Sequence, residues 1–115
     1  MSMLRVAGPR RRAAKVRPSS RTVLANARDA ADLLKALAHE ARLVILCLLV
    51  EGEKTVTELG ELIGRRQAAV SQQLARLRAH NLVEARREGK NIYYSIARSE
   101  VHEIVEALHR AFCDH

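Results

Sequence analysis

The chain has no tryptophan, one phenylalanine and two tyrosines among 115 residues. So few aromatics speak against a general RNA-binding surface built on base stacking. No apolar run approaches the roughly eighteen residues of a membrane span; the longest is LVILCLLV at residues 43–50. The start shows no apolar stretch followed by a small-residue cleavage site, so export is not expected. A bacterial cytoplasmic, nucleoid-associated location is expected instead. Five glycines are spread thinly and form no phosphate-cradling loop. Cysteine is limited to Cys47 and Cys113, and in a reducing compartment a static structural disulfide is not expected. The length suits one domain.

Acid is missing from the first 28 residues, which carry eight basic groups, while the other 87 hold twelve basic against thirteen acidic. Residues 65–90 hold seven basic groups against Glu84 and Glu88, net +5, whereas residues 29–64 are net −4 and residues 91–115 net −2. Positive charge confined to one segment of the folded part is the distribution expected when one face meets DNA phosphates.

Residues 1–19 combine Pro, Gly, Ser and like charges and read as a flexible basic arm, leaving residues 20–115 as the DNA-binding and dimerisation domain. A helical period begins near Ser20, with Val23, Ala27, Ala30, Ala31, Leu34 and Leu37. A second helix over residues 39–50 is apolar almost all round, the mark of a buried helix. Gly52 suits its end, a short strand is expected over residues 55–57, and Thr57 is the expected cap of a third helix. Gly64 breaks to a fourth helix over residues 66–80. A hairpin follows, turning at Glu88-Gly89-Lys90, with Ile92, Tyr94 and Ile96 expected inward and Tyr93 and Ser95 outward. Ser99 is the expected cap of a last helix, whose stripe Val101, Ile104, Val105, Leu108, Ala111 and Phe112 calls for a partner surface.

Helix, glycine turn, helix and charged hairpin make a winged helix-turn-helix, mainly α with a small β-hairpin. In the fourth helix Val70, Leu74 and Leu77 recur at i, i+4 and i+7 and pack inward. Short polar side chains remain outside, as major-groove reading requires. Gln67, Ala68, Ser71, Gln72 and Gln73 are the candidate base contacts. Arg65, Arg66, Arg76, Arg87 and Lys90 are the candidate phosphate contacts, and Arg86 adds to the charge of the hairpin.

The segments LLKALAHEARLVILCLL and VSQQLARLRAHNLVEARREGKNIYYSI resemble the ArsR/SmtB family of bacterial winged-helix repressors, over roughly residues 33–113. The resemblance implies a homodimer joined through the first and last helices, an inverted-repeat operator with half-sites about 34 Å apart, and an inducer that releases the DNA. Many members have His where this chain has Gln73. Metal sensors of the family place thiolates in the helix before the recognition helix, but residues 57–64 contain neither Cys nor His. A second family metal site begins acid-x-His on the last helix. Glu100-Val101-His102 matches that start, yet the next ligand position holds Cys113 rather than His.

Cys47 and Cys113, together with RQAAVSQQLARLR, resemble the persulfide-sensing branch, which includes the biofilm-growth-associated repressors. That resemblance implies that reactive sulfur species link the two thiols through a bridge of several sulfurs and weaken DNA binding, with no bound cofactor. Read from the residues alone, Cys47 is an inert apolar cysteine and Cys113, near a helix C-terminus, gains no activation. The incoming persulfide then acts as nucleophile. A direct disulfide needs Cα atoms within about 7 Å, so a wider spacing selects for bridges with extra sulfurs. Two alternatives stay open: a zinc-responsive repressor using His102 and His109, and a thiol-dependent sulfur or peroxide enzyme. Glu106 is the expected i,i+4 partner of Arg110.

Overall fold

The computed structural model describes residues 20–113, and the chain divides into two units, Met1–Lys35 and Ala36–His115. The basic arm expected over residues 1–19 lies outside the described residues. Within the first unit the described part is helix alone, the bulk of α1 (Ser20–Leu37), with Val23, Leu24 and Leu34 exposed.

The second unit runs α2 (Glu40–Val50), β1 (Lys54–Thr55), α3 (Val56–Ile63), α4 (Gln67–Ala79), β2 (Val83–Glu88), β3 (Asn91–Ile96) and α5 (Ser99–Phe112). Its antiparallel sheet has the order β1-β3-β2. Lys54 pairs with Tyr94, and the hairpin register runs from Val83 opposite Ile96 to Glu88 opposite Asn91, leaving Gly89 and Lys90 as the turn. This is the expected winged helix-turn-helix.

Periodicity explains the core. Ile45, Leu46 and Leu49 of α2 meet Leu59 of α3 and Val70, Leu74 and Leu77 of α4, with Leu82, Val83, Val101 and Val105 completing the cluster. Each such side chain contributes about 1.5–3 kcal/mol by leaving water. No polar side chain is buried with them among the described residues.

Several local expectations change. The cap of α3 is Thr55, not Thr57: Thr55 Oγ1 accepts from the Glu58 N–H at 3.1 Å and Glu58 Oε1 accepts from the Thr55 N–H at 2.8 Å. The strand accordingly ends at Thr55, because a threonine whose backbone is extended at φ −86°, ψ 165° both closes a strand and starts a helix. Arg98, not Ser99, occupies the N-cap of α5 without a side-chain cap. The first-turn carboxylate of Glu100 serves that end instead, lowered below the usual range by its own backbone N–H and by Arg98. β3 shows no clean alternation, with Ile92 through Ile96 all half-buried, since β3 is the central strand and the Arg86 guanidinium covers the Tyr93 ring at 4.9 Å.

The second helix is not buried all round. Only Ile45, Leu46 and Leu49 are fully covered; Val44 is exposed and Leu43, Cys47 and Leu48 are half-covered. The stripe on α5 divides similarly: Val101 and Val105 are buried, while Phe112 is 73% exposed.

Candidate DNA-reading face and thiol groove

The turn between α3 and α4 sets the candidate reading face. Gly64 adopts φ 77°, a left-handed conformation natural to glycine, and its N–H donates to the Gly60 carbonyl at 2.8 Å. The Arg65 N–H donates to the same carbonyl at 3.1 Å, and a Cβ on Gly60 would stand 3.1 Å from the Arg65 carbonyl oxygen. The turn backbone therefore passes too close to residue 60 for a side chain there without a local shift. Gln67 Nε2 donates to Thr57 Oγ1 at 3.2 Å, tying the first turn of α4 to α3. That link was not read from the sequence. The only signal for it was two short polar side chains on either side of the glycine turn.

With Val70, Leu74 and Leu77 facing inward, 3.6 residues per turn places Ala68 and Gln72 opposite the buried seam. Ala68, Ser71, Gln72 and Arg76 are exposed, as are Arg65, Arg66 and Gln67 at the start of the helix. Gln73 stands on the flank of the seam and is half-buried beside the α2–α3 groove. Arg87 and Lys90 are exposed on the wing.

Arg86 has a different setting. Its guanidinium bonds Glu53 at 2.5 Å and Glu88 at 2.8 Å while lying over Tyr93. These carboxylates raise its affinity for the proton, and Arg86 in turn lowers Glu53 below the carboxylate range. A guanidinium satisfied this way is an internal tie of the wing rather than a free phosphate ligand.

The second feature is an open groove of about 770 Å³ between α2 and α5. Leu43, Val44, Leu48, Leu108 and Phe112 form its apolar walls, and both Cys47 and Cys113 open into it. The thiols are free, Cys47 half-buried and Cys113 exposed. Burial pushes the Cys47 thiol up, and the Cys113 and Glu51 charges push it further. Among the described residues no lysine or arginine lines the groove, whose ionisable wall groups besides the cysteines are His39, Glu40, Glu51 and His109. Such surroundings do not activate a thiolate.

Sequence reading overlooked a neighbouring pair. Glu51, the C-cap of α2, lies four residues after Cys47, and His109 lies four residues before Cys113, the C-cap of α5. His109 Nε2 and Glu51 Oε2 stand 3.8 Å apart. The thiols and this pair thus form adjacent rungs between the same two helices. The i,i+4 spacing on each side was the available signal. His102 is about two helical turns from His109 by spacing, about 10 Å along the helix, and does not line the groove. Among the described residues no three His, Cys, Asp or Glu side chains gather as a metal site. Glu106 does pair with Arg110, at 3.4 Å.

Comparison with known proteins places these features in context. Residues 39–85 match the family described as bacterial regulatory protein, arsR family. The transcriptional activator HlyU of Vibrio cholerae is 43% identical over 88 residues, covering 76% of this chain and 82% of the relative. The biofilm growth-associated repressor of Xylella fastidiosa is 45% identical over 87 residues, covering 76% of each. The crystal structure of that repressor, BigR, superposes with a TM-score of 0.77 at 41% identity, over 84% of this chain and 95% of that one. A homodimeric winged helix-turn-helix DNA-binding domain from Mycobacterium bovis, a possible ArsR-family regulator, gives 0.66 at 38% identity, over 84% and 88%.

Proposed function

The chain belongs to the arsR family of bacterial regulatory proteins, and on that premise we propose that it is a dimeric repressor released from its operator when sulfane sulfur bridges Cys47 and Cys113. It is a DNA-binding transcriptional regulator of the winged helix-turn-helix type. The finer reading rests on one observation: both of its cysteines open into a single groove, on facing turns of α2 and α5, away from the reading helix.

The chemistry needs no external oxidant. Each thiol takes one sulfur atom from an organic persulfide RSSH and releases RSH. The two resulting cysteine persulfides condense, lose H₂S and leave a Cys47–S–S–S–Cys113 bridge. The sulfane sulfur is reduced to sulfide while the thiols are oxidised. The raised Cys47 thiol makes its own attack on RSSH slow in a groove that does not favour thiolate; once a cysteine persulfide has formed, that persulfide is the nucleophile of the closing step.

Two copies present two α4 helices to an inverted repeat, with Gln67, Ala68, Ser71, Gln72 and Gln73 toward base edges and Arg65, Arg66, Arg76, Arg87 and Lys90 toward phosphates. Repression, rather than the activation named for HlyU, follows the biofilm growth-associated relatives. The test is an operator-binding titration with and without an organic persulfide. Unmodified protein loses affinity on treatment, and Cys47→Ser and Cys113→Ser proteins keep theirs. Equal loss in either serine variant contradicts the reading. A reporter assay sets the sign of regulation, since deletion of the gene raises operator-controlled transcription if the protein represses.

A further inference from the structure

Between the thiol groove and the wing lies a five-residue connector, residues 51–55, and nearly every polar side chain in it is engaged. Glu51 faces His109 of α5 at 3.8 Å and Lys54 at 3.8 Å. Glu53 takes the Arg86 guanidinium at 2.5 Å, with the Arg86 Nε–H donating at 3.4 Å to its other oxygen. Lys54 and Thr55 pair with Tyr94 and Tyr93 of β3, and Thr55 caps α3. Arg86 continues the chain to Glu88 beside the wing turn, over the ring of Tyr93. One end of this series is the rung next to Cys47 and Cys113; the other is the strand that carries Arg87.

We propose that Glu53 and Arg86 are positioning residues that transmit the state of the Cys47–Cys113 pair to the wing, with Glu51 as the input of the relay. This rests on the function proposed above. Bridging fixes the spacing of α2 and α5 at the thiol rung and so alters the adjacent Glu51–His109 rung. Because α2 ends at Val50 with Glu51 as its C-cap, and the next residues are tied to β2 and β3, movement of that end reaches the wing through ion pairs rather than slack chain. Exposed ion pairs contribute little to stability. The relay therefore shows in the coupling between modification and DNA release, not in the melting temperature.

The experiment measures the ratio of operator affinities, reduced over bridged, for the full chain, for Glu53→Gln, for Arg86→Gln and for the double variant. Mass analysis confirms bridging in each. Couplings of this kind span about 5- to 150-fold. The unsubstituted protein falls in that range, and Glu53→Gln bridges at the same rate but drops below about threefold, outside it. The double variant is no worse than either single one, as expected for two partners of one link. Glu53→Asp, which keeps the charge, restores part of the ratio. An unsubstituted ratio in Glu53→Gln, or additive losses in the double variant, overturns the relay while leaving the thiol switch standing. Failure of the unsubstituted protein to bridge or to release DNA overturns both.

Discussion

Glu51, the C-cap of α2, stands one turn beyond Cys47 and 3.8 Å from His109 on α5. Burial, then the Cys113 charge, then this carboxylate hold the Cys47 thiol above the ordinary cysteine value. An acid with a raised pKa stays protonated further into alkaline pH. The alkylation rate of Cys47 is therefore expected to climb with pH to a midpoint above that of an ordinary exposed cysteine. Glu51→Gln lowers that midpoint and quickens alkylation at pH 8, by less than full exposure would, since burial is the larger cause. An unshifted rate profile in Glu51→Gln contradicts this electrostatic account.

Thr55 carries a prediction for stability. Thr55→Ala removes one half of the capping box that starts α3 and should cost about 1 kcal/mol. In a domain of this size that lowers the melting temperature by roughly 4–8 °C. Calorimetry of the reduced protein checks it; an unchanged melting temperature means that the box contributes nothing.

Gly64→Ala places a side chain at φ 77°, with open space around it but a disfavoured backbone. The expected cost is about 1–2 kcal/mol, measured by denaturant unfolding. Operator affinity should fall beyond the stability loss if the turn relaxes by reorienting α4. A stable variant with full affinity would show that the turn angle is set elsewhere.

Lys90 and Gln72 carry the two proposed kinds of DNA contact, to phosphate and to a base edge. Lys90→Ala is expected to weaken binding to all sequences and to reduce the slope of log affinity against log salt by about 0.9. Gln72→Ala is expected to relax preference at one base pair by about 1–3 kcal/mol with the salt slope unchanged. Anisotropy titrations at several salt concentrations distinguish them, and an unaltered slope in Lys90→Ala removes the wing from the phosphate contacts.

Periodicity made the fold legible because each buried seam recurs in the sequence: Val70, Leu74 and Leu77 on α4, Val101 and Val105 on α5. The extents of α1 and α4 were readable within a residue. The cap of α3 was legible but misread, because Thr55 has Glu58 three residues on, the capping-box spacing, whereas Thr57 has Gly60 there. Arg86 misled for a different reason. Its charge reads like those of Arg87 and Lys90, and its neutralisation depends on Glu53, 33 residues distant, brought near by pairing of β1 with β3. For α2, an all-round apolar surface implied full burial, whereas one face forms an open groove holding Cys47. The two cysteines were visible at once; the Glu51–His109 rung beside them became visible only when α2 and α5 were set against each other.

The central claim is best tested by intact-mass analysis of the protein after organic persulfide, peroxide and disulfide treatment, with operator binding measured on the same samples. The account predicts that persulfide adds whole sulfur atoms and removes two hydrogens per subunit. The bridge should map to Cys47 and Cys113, and the bridged fraction should track lost operator affinity. DNA release without added sulfur or a Cys47–Cys113 linkage, or a bridged protein that binds its operator undiminished, would contradict it.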